Sequence, residues 1–141
     1  MNVQDVEKSL AERLLSKGEM LEEFMPITQR FALKHSLNGE EGKAVARLVL
    51  RIAERIRFMP GTRRTGHPRK ETIAHLHYFR PGIEAWIAEK DAGGLRPDET
   101  QQLRALGRIS IAGCANDPEV RHVSIKKLIE NNVELDLFWE P

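Results

Sequence analysis

His75 and His77 stand two positions apart in ETIAHLHYF (71–79). On an extended strand that spacing puts both imidazoles on one face. Two ring nitrogens there can serve one metal ion if a third donor arrives from a neighbouring strand. Glu89 or Asp91, in EAWIAEKD (84–91), would supply it across a hairpin, and a one-residue slip of register would turn both carboxylates away. The plainer reading makes the histidines partly buried polar residues on a mixed sheet face. Glu89 and Asp91 are also a carboxylate pair on one strand face, with Lys90 pointing the other way. Such a pair does acid–base work when burial separates the two titrations, and is otherwise a solvated strand end. Cys114, the sole cysteine, sits in AGCAND with His122 eight residues on. A thiolate needs a base or a positive environment, which His122 would provide, but a lone cysteine in a turn is more often structural. Gly93-Gly94 lacks the lysine and the strand–helix setting of a phosphate-cradling loop, and nothing requires a cofactor.

The strongest feature outside packing is basic. Arg55 and Arg57 precede Arg63, Arg64, Arg69 and Lys70 in MPGTRRTGHPRK (59–70), and between residues 55 and 80 only Glu71 opposes them. This run can neutralise several phosphates or meet an acidic protein surface. No aromatic residue interleaves it after Phe58, so base stacking is not indicated. Residues 81–141 are net acidic, so a formal charge of +1 hides a bipolar chain.

The elements that position these groups divide the 141 residues into a helical part (1–58), a basic linker (59–70) and a sheet part (71–141) of one domain. Helices are expected over 3–17, stopped by Gly18, and over 19–36, broken or kinked at Pro26. Val6, Leu10, Leu14 and Leu15 fall on the apolar face of the first, and Leu21, Phe24, Ile27, Phe31 and Leu33 on that of the second. Asn38 is placed to cap a third helix, 40–58, with the apolar stripe Ala44, Val45, Leu48, Val49, Ile52, Ala53 and Ile56. Strands are expected at 71–79, covered on both faces, at 84–91 after the turn Arg80-Pro81-Gly82-Ile83, at 107–113, and at 133–139. In the last strand Leu135, Leu137 and Trp139 point in and Phe138 points out. Ser124 should cap a short helix, 125–132, with Leu128 and Ile129 inward. The expected fold is α+β: an N-terminal helical region packed on a small, mainly antiparallel sheet, with a short C-terminal helix. MNVQDVEKSLAERLL lacks the apolar core of a signal peptide, AVARLVLRIA (44–53) is broken by Arg47 and Arg51, and a single cysteine suits a reducing compartment. A cytoplasmic protein with no membrane partner is expected.

From about residue 50 onward the chain resembles a small domain family of unknown function carried on plasmids, integrative elements and phages, often near conjugation and antirestriction genes. The resemblance rests on RIAERIRFMPGTRRTG, then AHLHYF, then W-I-x-E-K-D at Trp86 to Asp91. It continues through Gln101-Gln102, Ala105-Leu106-Gly107 and V-S-I-x-x-L at Val123 to Leu128, and ends in ELDLFWEP. The chain departs from the family pattern at RPGIEA, where small and acidic residues are usual. The resemblance implies a mobile-element setting and supplies no activity. On it rests the first expectation for function. This is a non-enzymatic interaction module that binds a host protein or nucleoprotein complex, such as a defence complex, through Arg55, Arg57, Arg63, Arg64, Arg69 and Lys70. A nucleic-acid-binding accessory protein using residues 55–70, and a metal-dependent enzyme at His75 and His77, are the alternatives. Residues 1–50 offer a core or a homodimer interface.

Overall fold

A computed structural model describes residues 2–62, 73–92, 102–112 and 119–141. Over these residues the fold is α+β, with four α-helices and a five-stranded antiparallel sheet. Helix α1 (Val3–Leu14) begins where the Asn2 side chain accepts the Asp5 N–H at 2.9 Å. Gly18, at φ +83°, turns the chain beyond its end. A 3-10 turn (Met20–Glu23) precedes Pro26, which starts α2 (Ile27–Leu37), a position where its missing N–H has no cost. Asn38 does not cap the third helix. Its N–H closes α2 on His35 and Ser36, and α3 (Gly42–Phe58) starts later with no side-chain cap. The physical reason is close contact. A Cβ on Gly42 would lie 2.2 Å from the Leu37 carbonyl, so the chain crosses α2 before the helix can wind. At the other end, the Lys90 ammonium donates to the Ile56 and Arg57 carbonyls at 2.9 and 3.1 Å, placing a cation on the negative helix terminus.

Strand order is β4-β3-β2-β1-β5. Strand β1 (Leu76–Arg80) and β2 (Ile83–Glu89) form a hairpin about Pro81-Gly82, with Gly82 at φ +89° and register His77↔Trp86. Strand β3 (Ala105–Ile111) pairs with β2, and Gly107 is needed there because a Cβ would sit 2.2 Å from the Trp86 carbonyl. Strand β4 (Arg121–Val123), not expected from the sequence, pairs with the start of β3 and runs into α4 (Ile125–Glu130). Ser124 caps α4 as expected, accepting the Lys127 N–H at 3.1 Å. The expected last strand shrinks to β5 (Glu134–Leu135). The Asp136 carboxylate accepts the N–H groups of Phe138 and Trp139, and that turn lifts the tail off the sheet.

Side chains alternate across the sheet, so the registers define its two faces. Leu76, Tyr78, Ala85, Ile87 and Leu135 are buried with Ala46, Val49, Ile52 and Ile56 of α3 in one core. The helices therefore cover one face. The other carries His77, Phe79, Glu84, Trp86, Arg108 and Ser110. The first strand is interior as expected and buried on both faces at Leu76, His77 and Tyr78, but Phe79 and Arg80 at its end are exposed, as is Ile73 ahead of it. The two N-terminal helical segments turn partly otherwise than expected. Leu15, Leu21 and Phe24 are buried as expected, but Val6, Leu10, Ile27 and Phe31 are exposed, while Ala11 of α1 and Gln29, Arg30 and Leu37 of α2 are buried. Small Ala11 seats α1 on α3, and α2 rotates to bring Gln29 to the sheet edge.

Candidate functional site

The face that none of the described helices covers centres on His77, only 8% exposed. Its Nε2 lies 2.9 Å from Glu84 Oε2 and its Nδ1 lies 3.1 Å from Asp136 Oδ2. Strand geometry brings these groups together. Glu84 is opposite Phe79, one step diagonal from His77, and Asp136 follows β5, with its N–H donating to the His77 carbonyl at 2.8 Å. Trp86, directly across the hairpin, stacks on the imidazole at 5.6 Å between ring centroids. Trp139 approaches at 5.7 Å from the tail, and Phe79 at 6.4 Å. The Arg55 guanidinium, reaching from α3, donates to the Trp139 carbonyl at 2.8 Å, and Arg51 pairs with Glu140 at 3.1 Å. The tail is thus held from both sides: by the imidazole on the sheet and by arginines on the helix.

The chemistry of this arrangement follows from donor counting. A neutral imidazole has one N–H and serves one carboxylate, whereas an imidazolium serves both. General base catalysis needs a ring nitrogen open to substrate, and here both face carboxylates beneath indole rings. The carboxylates lie on opposite edges of the ring, so the three groups do not converge on one point. No set of three His, Cys, Asp or Glu side chains among the described residues converges to hold a metal ion. His77 is a fastener joining β1, β2 and the tail.

Outward from that fastener the surface opens. A groove of about 390 Å³ runs along the β5 edge, lined by Ala32, Leu33, Phe79, Glu134, Leu137 and Phe138 among others. Phe138 is 79% exposed and Phe79 is half exposed. Glu84, Glu134 and Asp136 give this side negative charge, with Arg108 across the sheet as the nearest opposing cation by register. The floor of the groove is closed by an unusual contact. Gln29 Nε2 donates to the Leu135 carbonyl at 2.7 Å, and its Oε1 accepts the Leu135 N–H at 2.9 Å. One side-chain amide thereby stands in for the next strand of the sheet.

The expected site residues scatter. His75 lies before β1, where its backbone N–H donates to the Ile87 carbonyl at 2.7 Å. His77 meets Glu84 and Asp136, not Glu89 or Asp91. Asp91 is instead pinned by Gln102, whose amide accepts its N–H and donates to its carbonyl at 2.8 and 3.1 Å. His122 is exposed on β4, and Cys114 lies outside the described residues. Of the basic set, Arg55 is spent on the tail, Arg57 is exposed beside exposed Phe58, and Arg63, Arg64, Arg69 and Lys70 lie outside the described residues. Glu84 and Asp136 were missed. The turn contained the means to find the first: a two-residue loop at Pro81-Gly82 pairs residue 77 with 86 and sets 84 on the diagonal. Among the described residues, no helix is long and apolar enough to cross a membrane. Compared with protein-family models, curated proteins and solved structures, the chain matches none.

Proposed function

We propose that this chain acts by surface recognition, as an interaction module whose sheet face about His77 and adjoining groove receive a partner protein. The observation that carries this reading is the joining of exposed Phe79 and Phe138 to the carboxylates of Glu84 and Glu134 on a rigid, fastened edge. Exposed aromatics flanked by acids suit a partner's basic segment, since the aromatic faces and carboxylates both favour a cation and its aliphatic stem. Phosphate would be repelled there, so nucleic acid is disfavoured at this face. The resemblance to mobile-element domains makes a host defence complex, of protein or nucleoprotein, the first partner class to test. Arg57 and the basic segment form a second contact in this reading.

The test is capture of such a complex from host lysate by the immobilised chain, followed by two variants. Phe138→Glu with Glu134→Lys is expected to reduce capture at least about tenfold, the loss of an aromatic anchor and a charge pair. Capture that survives this change, but is lost on charge reversal at Arg57, Arg63, Arg64, Arg69 and Lys70, moves the interface to the basic segment. If bound material consists of nucleic acid that leaves steeply as salt rises, the accessory-protein reading replaces this one.

A further inference from the structure

A second concavity lies on the core face of the sheet, at the end away from β5. Gln29 of α2 bonds the β5 backbone and Phe24, ahead of α2, accepts from Tyr78 of β1, whereas this end of the sheet is flanked by the six-residue α4. Ile83 and Ile109 are left half-buried beneath a groove of about 430 Å³, which Leu128 and Val133 close from the side. That volume lies in the range of small-molecule sites, roughly 300–1,000 Å³.

Among the described lining residues, the two formally charged ones, Arg121 and Lys127, share one sign. Arg121 stands opposite Gly107 in register and lines the groove. Lys127 lines the same groove from α4. Among the described residues, no carboxylate lines the groove and neither cation makes an ion pair. Ser124 Oγ accepts the Lys127 N–H and retains its own proton to donate. Two cations that make no ion pair among the described residues, with a hydroxyl above an aliphatic floor, are complementary to one kind of ligand.

We infer that this groove binds a small amphiphile with an anionic carboxylate head and an aliphatic body of roughly eight carbons, the head at Arg121 and Lys127 and the body over Ile83 and Ile109. The site is separate from the recognition face and does not depend on that reading. The probe is sodium octanoate, titrated into the full ¹⁵N-labelled chain and followed by amide shifts. Saturable shifts at Ile83, Ile109, Lys127 and Val133 are expected, with Kd on the order of 100 μM. Octan-1-ol, which has the body without the charge, should bind at least about tenfold more weakly, as should octanoate to the Arg121→Gln/Lys127→Gln chain. Both substituted side chains are exposed, so the double variant should keep the amide dispersion of the parent; if it does not, Lys127→Gln alone takes its place with a smaller expected loss. Shifts that fail to saturate by about 5 mM, equal binding of the alcohol, or undiminished binding to the variant would each overturn the inference.

Discussion

At one edge of the sheet, two residues of β5 are held between β1 and the Gln29 side chain. At the other, three residues of β4 lead straight into α4. The β5 end is acidic and aromatic, with Glu134, Phe79 and Phe138; the β4 end is basic, with Arg121 and Lys127. Each end also has a glutamine that imitates a backbone. Gln29 spans 106 residues to grip Leu135, and Gln102 spans 11 to grip Asp91, while its own carbonyl accepts the Ile125 N–H at the start of α4. Very short edge strands resist pairing with other chains, and an amide side chain supplies the missing bonds without extending the ladder. The difference lies in solvent. Leu135 is 1% exposed, whereas Asp91 is half-buried. The same device should therefore matter more at the β5 end.

Gln29→Leu tests this directly and has the largest expected effect. It strands the N–H and C=O of a buried residue, which costs about 3 kcal/mol for the two groups together. Gln102→Leu should cost about half as much, because water can reach Asp91 in place of the lost amide. Urea unfolding of the two variants measures both. Equal losses would break the comparison, showing that solvent access does not decide the worth of these amides.

How much of this the sequence discloses depends on the range of each interaction. The stripe of α3 is legible because Val49, Ile52, Ala53 and Ile56 recur at the helical period. Ser124 before an apolar turn announces α4, and Pro81-Gly82 announces the hairpin. From that hairpin the His77–Glu84 contact follows by counting. The partnership with Asp136 does not, since it needs the tail to return 59 residues later. Gln29 and Gln102 are hidden for another reason. A glutamine in a helix or loop has the pattern of a solvated residue, and nothing local marks the backbone it will meet. The outward turn of Ile27 and Phe31 is the other side of that choice: burying Gln29 at the sheet edge rotates α2 and exposes its apolar face.

Tyr78 offers a smaller effect at the β5 end. Its hydroxyl donates to the Phe24 carbonyl at 2.5 Å, and burial pushes the phenol well above its ordinary 10.0. The folded state then keeps a proton that the unfolded state releases. The stabilisation is complete below pH 10.0 and is lost as pH rises from there towards the folded value, at about 1.4 kcal/mol per pH unit. Tyr78→Phe should cost about 1 kcal/mol at neutral pH and remove this part of the alkaline slope. Because Tyr78 is the only tyrosine, tyrosinate absorbance reports it alone and should appear only together with unfolding. Tyrosinate in the folded chain near pH 10 would contradict a sealed β5 end.

Glu23 gives the smallest effect and links the Asp91 backbone held by Gln102 to the helices. Burial raises its carboxyl above the ordinary 4.5, with Glu22 and then Asp91 adding repulsion. A raised carboxyl favours the fold below 4.5, and that advantage is lost as pH climbs through the folded value; at neutral pH the ionised group is a mild liability. Glu23→Gln should therefore stabilise the protein at pH 7 by less than about 0.5 kcal/mol, since the group is largely solvent-screened, and the gain should vanish below pH 4.5. Gln102 fixes the Asp91 backbone and with it one source of the repulsion. In the Gln102→Leu background Asp91 is freer to withdraw, so the gain from Glu23→Gln should shrink. A gain of the same size in both backgrounds would show that the two glutamine locks differ in more than solvent access, with the Asp91 lock exerting no hold on the charge it was placed to position.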